Sequence, residues 1–323
     1  MQDLFGHDVV PKSKGISRDT LAKMLRWVFL SPGTSSSDLV QMMYSKYDAV
    51  MDFVRLCRGE KTGHKISMLF NPHRFDTPAF NKRSVIDTIH NHPTQMDGLA
   101  RASLYRMEEC HPSELLYRIF QWCTNGSYFA SEFPPFVCRK HFQSFNAKRI
   151  LDPCGGWGGR MIGAASLGIY YEAWEPSTKT YDGLMMLGEW LKGFETGFSF
   201  QIHCEPFEDA TIDKEYDLAY TSPPYYDTEK YSNEPTNSCN RYDTFEEWTN
   251  SFYLPMVKKA VKASRNGMML NIGCRQYDLK SPIEKRFSVR MIPTLLSGQG
   301  GLGKSKAGAE SFYLVKNKNE RKM

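Results

Sequence analysis

Hydrophobic and polar residues are spaced differently in the two parts of this 323-residue chain. Through about residue 130, apolar residues recur every three or four positions, the spacing of a helix with one buried face. From about residue 148, short apolar runs alternate with longer helical patterns, and polar or glycine-rich turns separate them. The pattern predicts a mainly helical region over 1–130 and an alternation of strands and helices over 131–323.

In the first region, four stretches carry the helical spacing. They are Ser17–Leu30, Asp38–Cys57, Arg83–His90 and Glu114–Cys123. Ser17 is suited to cap the first of them, since its hydroxyl can accept from a free amide of the first turn. We therefore expect several separate helices before residue 130 and no sheet.

The pattern of the second region, residues 131–323, predicts a β-sheet. The strands are expected at 148–152, 169–175, 198–204, 216–221 and 268–272, with 287–295 and 311–316 as the last two. Helices are expected at 160–167, at 180–192 and from Thr244, where Thr244 and Glu247 form a capping box, to about Ala263. Such alternation is typical of an α/β fold with a Rossmann-like, doubly wound and mostly parallel sheet, which binds ligands at the carboxyl ends of its strands.

Composition excludes several classes of protein. No apolar run approaches the roughly 20 residues that span a bilayer, and the N-terminus has no signal-peptide hydrophobic segment. The eight cysteines are scattered without a CxxC pair, which predicts neither a disulfide framework nor a zinc site. We expect a cytoplasmic protein with no membrane partner and no metal.

Charge is distributed unevenly along the chain. Residues 1–150 hold 20 Lys and Arg against 14 Asp and Glu, residues 151–273 hold 10 against 18, and residues 274–323 hold 11 against 4. Two basic flanks therefore enclose an acidic middle, although the net charge is only +5. Basic flanks favour a polyanionic partner such as nucleic acid, or a solvated charged surface.

A glycine-rich turn, DPCGGWGGR over 152–160, follows the first predicted strand. Its glycines permit positive φ and leave no β-carbon in the path of a ligand; they are Gly155, Gly156, Gly158 and Gly159. The helix that follows offers unpaired amides to a carboxylate. The spacing is not that of G-x-G-x-x-G, so the turn favours a nucleoside cofactor other than a dinucleotide.

Acidic and aromatic residues near this turn supply candidate cofactor contacts. Asp152, at the end of the strand, is placed to accept from an ammonium group, and Glu175, after the second strand, is placed to accept from both ribose hydroxyls. Phe207 or Glu208, after the third strand, would flank an adenine ring.

The fourth predicted strand ends in Thr221-Ser-Pro-Pro-Tyr225. With the glycine-rich turn before it, this segment resembles the signature of the AdoMet-dependent amino-methyltransferases that modify DNA bases, over about residues 135–316. The resemblance implies S-adenosyl-L-methionine as cofactor. It also implies that Ser222 accepts from the exocyclic amine of a flipped base, that Pro223 and Pro224 hold the backbone rigid, and that Tyr225 stacks on the base.

The same resemblance points to further positions. Pro153 belongs to the cofactor turn, Phe136 lies where the family contacts the methionine carboxylate, and Tyr226 is a candidate nucleic-acid contact. The order of the motifs excludes the circularly permuted arrangement. No large insertion supplies a target-recognition domain, so the helical residues 1–130 would have to recognise double-stranded DNA.

A second glycine-rich segment, Gly298–Ser305, matches the phosphate-binding pattern G-x-x-x-x-G-K-[ST]. That pattern has meaning only between the first strand and helix of an NTPase domain, and only 18 residues follow Ser305. We interpret it as a loop in which Lys304 and Lys306 contact phosphate backbone.

The sequence leaves alternatives open for the substrate and for the activity. A serine before PPY favours N4-cytosine over N6-adenine. A methyltransferase that acts on an RNA (tRNA) base and a catalytically idle nucleic-acid-binding protein on the same fold are the alternatives. The recognition sequence, and whether the enzyme belongs to a restriction-modification pair, stay open.

Overall fold

The computed structural model describes residues 33–63, 65–78, 83–92, 132–228, 230–273, 276–292 and 311–318. These residues divide into two compact units. The described parts of 33–50, 71–92 and 230–231 form the first unit, and those of 51–70, 132–228 and 232–318 form the second.

The single helix predicted from Asp38 to Cys57 is wrong, because the chain forms two helices there, α1 (Ser36–Met43) and α2 (Lys46–Cys57). A local cap starts the second helix. The Ser45 hydroxyl accepts from the Asp48 amide at 3.1 Å, and the Asp48 carboxylate accepts from the Ser45 amide at 2.9 Å. The hydrogen bonds between Ser45 and Asp48 thus take the place of the backbone bonds that would continue α1, and they cap the start of α2.

Three further short helical segments follow: α3 (Ile66–Phe70), a 3₁₀ turn (Pro72–Asp76) and α4 (Val85–Asn91). The last confirms the helix predicted at 83–90, and it starts where the Ser84 hydroxyl accepts from the Asp87 amide at 3.1 Å. The helices expected at 17–30 and 114–123 lie outside the described residues.

The second unit contains a seven-stranded sheet in the order β3-β2-β1-β4-β5-β7-β6. The strands are β1 (Arg149–Asp152), β2 (Tyr170–Trp174), β3 (Ser199–His203), β4 (Leu218–Thr221), β5 (Met268–Ile272), β6 (Phe287–Ile292) and β7 (Ser311–Asn317). The first five are parallel, and β7 runs antiparallel between β5 and β6. This arrangement confirms the predicted Rossmann-like α/β fold.

Helices precede β1 or lie between successive strands of this sheet along the chain. They are α5 (Pro135–Ser144), α6 (Gly159–Ala165), α7 (Thr178–Lys192), α8 (Ser238–Arg241), α9 (Phe245–Trp248), α10 (Leu254–Lys262) and α11 (Lys280–Arg286). A π-helical turn, Thr249–Tyr253, joins α9 to α10. As predicted, the Thr244 hydroxyl caps this stretch by accepting from the Glu247 amide at 3.1 Å, although the Glu247 carboxylate reaches Asp243 rather than Thr244.

Residues of β2 show that both faces of the sheet are covered. Successive strand residues point to opposite faces. Trp174 is buried in one apolar cluster with Val257 and Ala260 of α10, whereas Tyr171 points to the other face, where its hydroxyl reaches the β1 carboxylate of Asp152. The sheet is therefore doubly wound, and loops at its carboxyl edge are held by two packed layers.

Candidate functional site

The predicted site residues follow strands at the carboxyl edge of the parallel part of the sheet. Asp152 ends β1, Glu175 directly follows β2, and Ser222 directly follows β4. The order of the strands reverses between β1 and β4, since β2 and β3 lie on one side and β5 on the other. Ligands of open α/β sheets bind in the crevice outside such a switch point, and the two predicted motifs lie on its two sides.

Two of the four turn glycines use the positive φ that glycine permits. Gly156 has φ +56° and Gly158 has φ +94°. The other two allow close packing instead: a β-carbon at Gly155 would lie 3.0 Å from Leu184 Cδ1, and one at Gly159 would lie 2.1 Å from a main-chain oxygen of Phe133. Of the four, only Gly156 would hold a β-carbon at ordinary contact distance, with Arg160 Nη2 the nearest atom at 3.5 Å.

Glu175 joins the turn to the end of β2. Its carboxylate accepts from the Gly156 amide at 2.9 Å and from the Ser177 amide at 3.0 Å, one bond to each oxygen. Burial raises the pKa of Glu175 to about 7, against the two amides, which lower it. A carboxylate oxygen can accept a second hydrogen bond, and the side chain thus has the capacity expected of a ribose ligand.

Asp152 is the centre of a buried polar network. Its Oδ1 accepts from the Thr221 hydroxyl at 2.7 Å and the Cys154 amide at 3.1 Å, and its Oδ2 accepts from Arg160 Nε and the Tyr171 hydroxyl at 2.5 Å each. The side chain of Asp152 is fully buried. These four donors use the acceptor positions of the carboxylate, and contact with a cofactor ammonium stays a prediction.

Arg160 is the counter-ion of Asp152. Burial works against its charge, but Asp152 more than offsets that effect and raises the pKa of the guanidinium above its usual value. The same guanidinium also donates to the carbonyl of Cys154 inside the turn. The ion pair therefore fixes the shape of the glycine-rich turn and, through Thr221, ties β1 to the end of β4.

The remaining predicted cofactor residues are held by other groups. Phe207 is 1% exposed and packs edge-on against Trp174 at 5.1 Å between ring centres. Glu208 accepts from Arg241 at 2.9 Å and from the Tyr242 hydroxyl at 3.2 Å. Burial raises the pKa of Glu208, and Arg241 opposes that shift.

Two more predicted cofactor positions are placed at the ends of elements. Phe136 is partly buried in the first turn of α5 with the Lys140 ammonium 5.5 Å from its ring centre. Pro153 is buried directly after β1. A cofactor contact by these residues, and by Phe207 and Glu208, stays a prediction.

The segment after β4 forms a small hydrogen-bonded group. Ser222 Oγ lies 3.3 Å from the Tyr225 hydroxyl and accepts from Asn271 Nδ2 of β5 at 3.4 Å. The Tyr225 hydroxyl accepts from the Gly273 amide at 3.0 Å. Pro223 and Pro224 lie between these two residues in the chain, and Ser222 and Tyr225 both keep some exposure. Their roles as amine acceptor and stacking residue stay predictions.

Tyr226 has a backbone conformation that is rare for an aromatic residue, with φ +56°. Its hydroxyl donates to the Asp243 carbonyl at 2.7 Å. Its ring lies 6.0 Å from Phe245 and meets Tyr277 edge-on at 5.4 Å. Tyr226 thus belongs to an aromatic cluster next to the catalytic candidates, and a nucleic-acid contact stays a prediction.

Other candidates fall elsewhere. Lys304 and Lys306 lie outside the described residues. Within the residues that the structure describes, no helix has the length and apolar character needed to cross a bilayer. Within the same residues, no group of three or more His, Cys, Asp or Glu is arranged to hold a metal ion.

Three residues of the site carried no role in the sequence-based prediction. Arg160 closes the glycine-rich motif, and a lone cation beside four glycines is the signal that could have revealed it. Thr221 ends β4 and contacts Asp152, whereas Asn271 is the one polar residue of β5. A polar residue inside an otherwise apolar strand is an indication of a specific partner, and here that partner is Ser222.

Comparison with known proteins gives structural likeness only. No protein-family model matches the chain, and no curated protein matches it in sequence. The solved structures that are similar include magnesium protoporphyrin IX methyltransferase from Synechocystis with bound SAM, at 14% identity and TM-score 0.37, over 55% of this chain and 74% of that one.

Two further solved structures are similar to this chain. TrmN from Thermus thermophilus matches at 15% identity and TM-score 0.36, over 57% of this chain and 49% of its own. A putative RNA methyltransferase from Pyrococcus horikoshii matches at 15% identity and TM-score 0.36, over 58% of this chain and 85% of its own. The match spans less than two thirds of TrmN, and at these identities the activity of this chain has to be argued from its own site.

Proposed function

We propose that this chain is an AdoMet-dependent methyltransferase that modifies an exocyclic amino group of a DNA base. The observation that carries the proposal is the pair of loops at the switch point of the sheet: the turn held by Glu175 on one side and the Ser222–Tyr225 segment on the other. One loop has the features of a nucleoside-binding turn, and the other has a partly exposed serine whose hydroxyl accepts from Asn271 of β5.

The residues present fit a ribose-containing cofactor. Glu175 uses one hydrogen bond on each carboxylate oxygen and is 8% exposed, so two acceptor positions are left for neighbouring hydroxyls. A β-carbon at Gly156 would meet no atom closer than 3.5 Å, so this glycine is the least crowded of the four in the turn. S-adenosyl-L-methionine, when bound, supplies a methyl group on a sulfonium, and the electrons of the broken carbon–sulfur bond stay on sulfur.

The chain itself has to position the amine and accept its hydrogen bond. Ser222 Oγ accepts from the exocyclic N–H, which increases electron density on nitrogen as its lone pair forms the new bond to carbon. The methylated nitrogen then loses one proton to solvent. Pro223 and Pro224 limit the backbone freedom of this segment, and the chemistry requires positioning more than a strong base.

DNA is the proposed substrate, with N4-cytosine ahead of N6-adenine because serine precedes PPY. The basic flanks of the sequence support a polyanion. Tritium transfer from labelled AdoMet to duplex DNA and, separately, to tRNA tests the proposal. Mass analysis of the nucleosides then identifies the methylated base.

A matched pair of variants shows whether the site performs the transfer. Ser222→Ala should lower the rate about 100-fold, the order of effect seen when one polar group is removed from a reacting centre, and leave AdoMet affinity within a few-fold. Ser264→Ala is the control, since its buried hydroxyl has no hydrogen-bond partner among the described residues. Transfer to tRNA alone would move the substrate to RNA, and cofactor binding without transfer to either polymer would identify an idle scaffold.

A further inference from the structure

Asn271 is a buried polar residue in a strand that is otherwise apolar. It is 1% exposed, and its neighbours in β5 are Leu270 and Ile272. The parallel register pairs Thr221 of β4 with Leu270 of β5. The next residues along the two strands, Ser222 and Asn271, are therefore side by side at the carboxyl edge.

The contacts of this pair extend through Tyr225. Asn271 Nδ2 donates to Ser222 Oγ at 3.4 Å, and the main-chain carbonyl of Asn271 accepts from the Tyr225 hydroxyl at 3.5 Å. The Gly273 amide donates to that hydroxyl at 3.0 Å, and Ser222 Oγ lies 3.3 Å from it. The bond from Gly273 has an ordinary length, whereas the other three are long, at 3.3–3.5 Å.

The direction of each bond follows from the groups that make it. An amide N–H can only donate, and a carbonyl oxygen can only accept. We assign the single proton of the Tyr225 hydroxyl to the Asn271 carbonyl, which can only accept, and its oxygen accepts from Gly273. In the 3.3 Å bond between Ser222 and Tyr225 either hydroxyl can be the donor, and with the Tyr225 proton assigned to the carbonyl we assign this bond to the Ser222 proton.

Ser222 has one proton and two lone pairs. Its proton goes to Tyr225, and one lone pair accepts from Asn271 Nδ2. One lone pair remains without a hydrogen-bond partner among the described residues. A hydroxyl in this state can accept from a substrate but cannot donate to one.

We infer that Tyr225 and Asn271 set the hydrogen-bond polarity of Ser222, so that the site selects a base with an amino group over the same base with an oxo group. Tyr225 and Asn271 act here through Ser222 and are positioning residues, with Tyr225 having this role in addition to stacking. The inference rests on the proposed function for the identity of the ligand as a base. It concerns binding, so it is measurable without methyl transfer.

Matched oligonucleotides test the selectivity. Short oligothymidylates that carry one cytosine or one uracil differ in an amino or oxo group and in the hydrogen on the adjacent ring nitrogen, as do those with one adenine or one hypoxanthine. Calorimetric titration into the full chain, with S-adenosylhomocysteine present, should show the amino member of each pair binding at least about tenfold more tightly. Equal affinities for the two members of a pair would overturn the inference.

Two variants separate the two positioning residues. Tyr225→Phe keeps the ring and frees the Ser222 proton, so the ratio of affinities should fall close to one as the oxo bases gain a donor. Asn271→Leu removes the Nδ2 donor and leaves the Tyr225 bond. It should weaken binding of both oligonucleotides several-fold and preserve the ratio.

Tyr253→Phe is the matched control, because its hydroxyl also donates to a main-chain carbonyl, that of Leu279 at 2.9 Å. It should keep the wild-type ratio, and thermal melting checks that all three variants fold. A wild-type ratio in Tyr225→Phe would contradict the inference. Amino selectivity in a chain that transfers no methyl group would refute the proposed reaction and leave the polarity of Ser222 standing.

Discussion

The carboxyl group of Glu175 should couple cofactor binding and stability to pH in opposite directions. Burial raises its pKa from 4.5 in the unfolded chain to about 7 in the folded one. A raised folded-state pKa gives stability that is fully present below pH 4.5 and is lost as pH rises through about 7. At 1.36 kcal/mol per unit, the loss from this one group is about 3 kcal/mol at pH 8.

Cofactor affinity should change the other way. The ionised carboxylate can accept from two ribose hydroxyls while it accepts from Gly156 and Ser177. In the protonated form one carboxyl oxygen carries a hydrogen, so fewer acceptor positions are left for the ribose hydroxyls. If only the ionised form binds, the population of that form predicts an AdoMet affinity about 30-fold higher at pH 8 than at pH 5.5.

Calorimetric titration of AdoMet from pH 5.5 to 8.5, beside urea unfolding over the same range, measures both effects. Glu175→Gln should bind about 10- to 100-fold more weakly at pH 8 and lose both pH dependences. Glu189→Gln, at an exposed position on α7, is the control and should behave as wild type. The difference between wild type and Glu175→Gln removes the titration of the cofactor's own amine, and equal pH profiles in the two proteins would refute the reasoning.

Other changes act on the framework of the site. Gly159→Ala places a β-carbon 2.1 Å from a main-chain oxygen and should lower the urea midpoint strongly. Gly156→Ala places one at ordinary contact distance but at φ +56°, and it should lower the free energy of unfolding by about 1 kcal/mol; equal costs would contradict the packing role. Asp152→Asn leaves the buried guanidinium of Arg160 without its counter-ion and should cost about 3–5 kcal/mol in chemical unfolding, and a neutral result would show that the pair does not hold the turn. Burial lowers the pKa of His141 from 6.5 to about 4, so stability should fall by about 3 kcal/mol as pH drops from 6.5 to 4; the same fall in His141→Asn would exclude this residue as the cause.

The sheet could be predicted closely because its strands leave a local signal. A buried parallel strand is a short apolar run bounded by turns, and each of the first five was predicted to within two residues. The break after α1 was missed because an amphipathic pattern continues across it, while the cap formed by Ser45 and Asp48 interrupts the backbone. The place of β7 inside the sheet depends on pairing between distant segments, for which the chain carries no periodic signal.

The site divides in the same way. Proximity of Ser222 to Tyr225 follows from two intervening prolines, and the place of Glu175 follows from the end of a strand. By contrast, the partners of Asp152 come from β2, β4 and α6. No local sequence pattern predicts that these side chains contact Asp152. The role of Asn271 also depends on the register of two strands that are 49 residues apart.

The antiparallel strand β7 also has a consequence for how the chain is made. Residues 311–317 lie between β5 and β6 in the sheet although they follow both in the chain. During synthesis, therefore, β6 leaves the ribosome before its neighbour exists, and the outer edge of β5 stays open until β7 arrives. A chain interrupted before residue 311 would lose one strand from its sequence but two from its sheet, and would expose β5 as an edge on which a second nascent chain can pair.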